Sequence, residues 1–119
     1  MGYPSYDTTA SQYQKKLVDL NKRGYKDPKA EGQLAIYGLG IAEEAGEVLG
    51  LVKRHFRGDD IPPLELKQKL VKEMGDTMAY LALAAYVFDI DLGDVLDGNL
   101  SKLAERVSAG TQLGSGSDR

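Results

Sequence analysis

The sequence contains no cysteine and a single histidine, His55. Without thiols there is no disulfide framework and no thiolate metal site. One imidazole per chain excludes a histidine-rich zinc or iron centre built from a single chain. The lack of cysteine fits a reducing cytosol, so a cytoplasmic location is the expectation. Apolar residues make up 42% of the chain, yet no apolar stretch reaches the roughly 18–20 residues that a membrane span needs. The opening residues, Met1-Gly2-Tyr3-Pro4-Ser5-Tyr6, lack a basic start followed by an apolar run, and no signal peptide is predicted. A basic excess is missing too: 15 basic residues stand against 18 acidic ones, for a net charge of −3. Neither a nucleic-acid polymer nor a membrane is therefore an expected partner. The one dense basic patch, Lys53-Arg54-His55-Phe56-Arg57, reads first as the cationic end of a helix, where positive charge meets the negative end of the dipole.

What the sequence does have is helical periodicity, with no convincing strand alternation and no internal repeat. Thr8 or Thr9 can cap a first helix from about Ala10 to Arg23, carrying Tyr13, Leu17 and Leu20 on one stripe and followed by Gly24. A second helix begins either behind an Asp27-Pro28 cap or nearer Gln33, and stops at Gly58 after Arg57. Beyond the Asp59-Asp60-Ile61-Pro62-Pro63 turn, a third is predicted from about Leu64 to Phe88, and a fourth from about Leu92 to Ser108. Short connections imply an all-α, antiparallel four-helix-bundle-like fold in a single domain over 1–109. Residues 110–119 are small and polar and read as a disordered tail. Met78 to Phe88 is apolar on nearly every side, whereas a surface helix keeps a polar face. It predicts burial on two sides, by its own bundle and by a second copy in a homodimer or homotetramer.

Acidic pairs interrupt the core-facing stripes. Glu44 and Glu47 on the second helix, and Glu73 and Asp76 on the third, are each three apart and so share a helix face. The basic partners of an ordinary solvated face are absent: Leu51 follows Glu47 at i+4, Thr77 follows Glu73, and Tyr80 follows Asp76. Carboxylates crowded on an apolar stripe repel and lose hydration, so something positive should compensate. Oxygen-only ligands suit Mg²⁺, or Mn²⁺ in its place. Gly46 and Gly75, inside the two helices beside these acids, predict either close helix approach or room for a ligand.

At these residues the chain resembles the MazG-like family of all-α nucleoside triphosphate pyrophosphohydrolases. The family pattern is EExxE, a spacer, then ExxD. Here it reads Glu43-Glu44-x-x-Glu47, 25 residues, then Glu73-x-x-Asp76. The resemblance implies Mg²⁺ held by Glu44, Glu47, Glu73 and Asp76, and cleavage of a nucleoside triphosphate between the α and β phosphates. It makes Glu43 a water-orienting residue, and either Glu43 or Glu47 can serve as the catalytic base. Asn99, Lys102 and Arg106 resemble the family's closing Asn/Lys/Arg segment, and Lys53 the basic residue after the first acidic motif. All four are expected at the substrate phosphates. Tyr80, with Tyr13 and Tyr37, is an expected stacking partner for the base. Rival readings are a dUTPase- or dCTPase-type specialist, a phosphoribosyl-ATP pyrophosphohydrolase, and a non-catalytic helical oligomer that binds nucleotide or metal.

Overall fold

The computed structural model describes residues 8–110, which form four α-helices; no strand occurs among them. The expectation for the polar tail beyond Gly110 lies outside the described residues. Helix α1 (Ala10–Gly24) starts at Thr9. Gln12 N donates to Thr9 Oγ1 at 3.2 Å and Thr9 N to Gln12 Oε1 at 3.0 Å, a reciprocal cap that satisfies two otherwise unpaired donors. Helix α2 (Gln33–Arg57) takes the later of the two starts predicted for it. Asp27 caps only a turn, its carboxylate accepting from Lys29 N at 2.9 Å. Gly32, at φ 84°, then breaks any helical path from Pro28. At the far end Gly58 is also left-handed, at φ 88°. It lets its own N–H reach His55 O and Asp59 N–H reach Arg54 O, closing carbonyls that the helix leaves open. Helix α3 (Pro63–Val87) places Pro63 in its first turn, where no N–H is missed. Helix α4 (Leu92–Ser108) is capped by Asp91.

The helices do not close into a square bundle. The backbones of α2 and α3 run together as one antiparallel pair. Helices α1 and α4 pack on α3 and on each other, and their backbones stay away from α2. Only side chains such as Asn21, whose Nδ2 lies 3.4 Å from Tyr37 OH, link α1 to α2. The core gathers Val18, Tyr37 and Leu83, flanked by Leu17, Tyr80, Ala84, Tyr86 and Val87. On α1 the most buried residues are Gln14 and Val18, while Leu20 of the expected stripe is 59% exposed. Gln14 is drawn in by the α3–α4 corner. Its Nε2 donates to Ala82 O and Ile90 O, and its Oε1 accepts from Leu92 N, each at 3.0 Å.

Burial of the Met78–Phe88 segment is one-sided within the chain. Ala82 and Leu83 are buried, whereas Met78, Leu81 and Phe88 lie on the outer side and are exposed. The radius of gyration is 16.8 Å, against about 13 Å for a compact chain of this length. No described helix is long and apolar enough to cross a membrane.

Candidate metal centre

Antiparallel pairing brings the middle of α2 against the middle of α3. Glu44, Glu73 and Asp76 meet there, each offering a carboxylate oxygen, with the three oxygens within 4.8 Å of one another. All three side chains are half-buried. It is the one such group of potential ligands among the described residues. The electrostatics match the crowding: hydrogen bonding to Glu73, then lost hydration, then the charges of Asp76, Glu73 and Glu43 push the Glu44 carboxyl up to about 7. Crowded carboxylates favour the neutral form of one of their number, and here that is Glu44.

The other expected residues are placed differently. Glu47 and Glu43 are exposed and stand outside the three-carboxylate group. A helix turns about 100° per residue, so Glu43 is swung round from Glu44, whereas Glu47, three residues on, is only about 60° from it and stands at the rim of the same face. Lys53, about two and a half turns beyond Glu44, is exposed near the end of α2, and Asn99 is exposed on α4, where Lys102 is half-buried. Arg106 is 4% exposed. It lies fourteen residues from the buried Leu92, close to four full turns, and so shares the face that α4 turns inward. Tyr37 is 3% exposed and belongs to the core. Tyr80 is half-buried, its ring centroid 6.2 Å from that of Tyr37. A Cβ built on either Gly46 or Gly75 meets nothing within 4 Å. Close helix approach within the chain therefore does not explain these two glycines, and the space beside them is open.

Tyr13, a stacking candidate on α1, is far from Asp76 in the chain but feels its charge. Burial first, and then the negative charge of Asp76, push the Tyr13 phenol above its ordinary value. Tyr13 also borders a groove of about 640 Å³ along α1, with Leu17 and Leu20 on its wall and Lys16 and Arg23 at its rim.

This pattern of acids on paired helices agrees with sequence comparison. Residues 34–110 match the model of the MazG nucleotide pyrophosphohydrolase domain. The chain belongs to the MazG family. Among its relatives, the Gene 37 protein of Mycobacterium phage L5 is 38% identical over 82 residues, covering 68% of this chain and 72% of that protein. The uncharacterized protein YvdC of Bacillus subtilis (strain 168) is 35% identical over 72 residues, covering 56% of this chain and 68% of that protein. No solved structure matches. The MazG match spans α2, α3 and α4 and leaves α1, with Tyr13, outside the family region.

Proposed function

We propose that the protein hydrolyses a nucleoside or deoxynucleoside triphosphate between its α and β phosphates, with Mg²⁺, to a monophosphate and pyrophosphate. The meeting of Glu44, Glu73 and Asp76 across the α2–α3 seam carries this reading. Three carboxylates so close need a proton or a cation among them, and the raised Glu44 carboxyl reflects that crowding. Oxygen-only donors of this charge fit Mg²⁺, with Mn²⁺ as its substitute. When bound there, such an ion neutralises phosphate charge and acidifies water.

The chain's own groups divide the remaining work. Glu44, Glu73 and Asp76 would hold the metal, and Glu47, one turn further along α2, would be either an additional ligand or the base. Glu43 is the alternative base; both are exposed and able to accept a proton from water. Lys53, Asn99 and Lys102 are the groups offered to phosphate oxygens. Arg106, the fourth phosphate candidate, lies on the inward face of α4 and is buried. Tyr13 and the α1 groove would receive the nucleoside end, beside Asp76.

The working unit in this reading is a homodimer or homotetramer, in the cytoplasm. Leu39 and Leu49 on α2, and Met74, Met78 and Leu81 on α3, leave a broad apolar surface exposed. An apolar groove of about 380 Å³ runs between the two helices. Uncovered apolar surface of this kind marks an association site, and a second copy would also fill the open shape. Chromatography of the products from a panel of nucleotides, with Mg²⁺, tests the reaction. Pyrophosphate and a monophosphate are expected. Orthophosphate and a diphosphate would exclude the proposed bond, and full activity in excess chelator would exclude the metal.

A further inference from the structure

We propose that the contact between Gly40 and Tyr80 is the gauge that sets the α2–α3 separation at the acidic cluster, and with it the size of cation the cluster accepts. The inference rests on the metal-site reading above. Gly40 lies four residues before Glu44 on α2, and Tyr80 four residues after Asp76 on α3. The contact is therefore about 6 Å along each helix from the carboxylates.

Gly40 is buried, and a Cβ built on it would lie 2.6 Å from Tyr80 Cε2 and 2.7 Å from Cδ2 and Cζ. Ordinary contact begins at 3.4 Å, so an alanine there requires α2 and the ring to part by about 0.8 Å, the difference from the nearest 2.6 Å approach. On its inner side the half-buried ring is blocked. It packs against the core group of Val18, Tyr37 and Leu83, and Tyr37 beside it is itself 3% exposed. Displacement therefore passes to the helix pair, since close-packed interiors transmit strain. Gly46 and Gly75, the glycines within the acidic motifs, have open space beside them and cannot set the spacing.

A change of that size is significant for a metal site. Mg²⁺ needs oxygens at about 2.0–2.1 Å in a strict octahedron, whereas Ca²⁺ accepts about 2.3–2.6 Å in looser geometry. Across two oxygens on opposite helices, the two ions differ by roughly 0.4–1.2 Å. The notch at Gly40 holds the seam at the closer spacing, which favours the smaller ion. Gly40 and Tyr80 are thus positioning residues and contribute no ligand atom.

The test uses the full chain, melted in the presence of increasing MgCl₂ or CaCl₂, to give an apparent Kd for each ion. The wild type should prefer Mg²⁺. In Gly40→Ala, Mg²⁺ affinity should fall about tenfold or more, the scale of effect of groups that orient metal ligands, while Ca²⁺ affinity changes much less. Adding Tyr80→Leu to Gly40→Ala removes the clashing ring atoms and should return the Mg²⁺/Ca²⁺ ratio toward that of the wild type. Gly98→Ala on α4, where a Cβ meets nothing within 4 Å, should leave the ratio unchanged. If Gly40→Ala does not fold, Tyr80→Leu alone, which empties the notch, should show the loss of discrimination. An unchanged ratio in folded Gly40→Ala, or in Tyr80→Leu where that is the variant measured, overturns the gauge alone. A wild type that prefers Ca²⁺ also overturns it. A wild type stabilised by no divalent ion removes the metal site itself, and the gauge with it.

Discussion

Asp76→Asn separates a metal-binding carboxylate from a structural one. Asparagine keeps the shape of the side chain and removes one negative charge. Asp76 supplies one of the three oxygens gathered within 4.8 Å, and its charge bears on two neighbours. It helps to raise Glu44, behind hydrogen bonding to Glu73 and burial, and it helps to raise Tyr13, behind burial. The substitution should therefore lower both, bringing Glu44 down from about 7. The metal-free variant should be as stable as the wild type or more so, because repulsion at the cluster is relieved. Its response to Mg²⁺ should be much weaker. A ligand at 100 times its Kd stabilises the folded state by about 2.7 kcal/mol, and at its Kd by about 0.4 kcal/mol. A 100-fold loss of affinity would thus shrink the Mg²⁺-induced rise in Tm from about 11 °C to about 2 °C, at roughly 4 °C per kcal/mol. Turnover should fall about 100-fold or more, since metal placement supports both water activation and charge neutralisation. Melting curves with and without Mg²⁺, initial rates, and ultraviolet titration of tyrosine give the three readouts. A destabilised metal-free variant with near-normal turnover would refute the reasoning and take Asp76 out of the site.

Proton linkage at Glu44 has a definite sign. Because its folded pKa is raised to about 7, the folded state binds more protons than the unfolded chain between the ordinary glutamate range and that value. Metal-free stability should therefore decline as pH rises through the window, and Mg²⁺ affinity should climb as the proton is displaced; a flat melting temperature from pH 5 to 8 would contradict this. Light scattering at low micromolar concentration should report a dimer or larger, and Met78→Glu on the exposed α3 face should dissociate it; a fully active monomer would end the oligomer proposal. Gln14→Leu should lower stability by about 3 kcal/mol, because it strands Leu92 N–H and two carbonyls that Gln14 now satisfies. Activity measured well below the new melting temperature should persist, since Gln14 touches none of the three carboxylates; a melting temperature within a degree of the wild type would show that water replaces those bonds.

The sequence by itself determined whatever depends on neighbours a few residues apart. Helix spans and their ends were legible to within a residue or so because caps and breakers act locally: Thr9 before Ala10, Gly58 after Arg57, the prolines before Leu64, the Asp89-Ile90-Asp91 corner before Leu92. The acidic motif was legible because i,i+3 spacing alone places Glu73 and Asp76 on one face. Even the choice between Pro28 and Gln33 as a helix start turned on Gly32, visible as a weak point in the first turn. Tertiary structure decided the rest. Which acids meet depends on the rotation of α2 about its own axis relative to α3, and that rotation admits Glu44 to the seam while leaving Glu47 exposed. Burial of Arg106 follows from which face α4 turns toward its neighbours, something two cations on a helix do not reveal. The charge of Asp76 felt at Tyr13, and the notch in which Tyr80 meets Gly40, couple residues from different helices. Such contacts are set by how the side chains of packed helices interdigitate, and no spacing along a single chain segment encodes that.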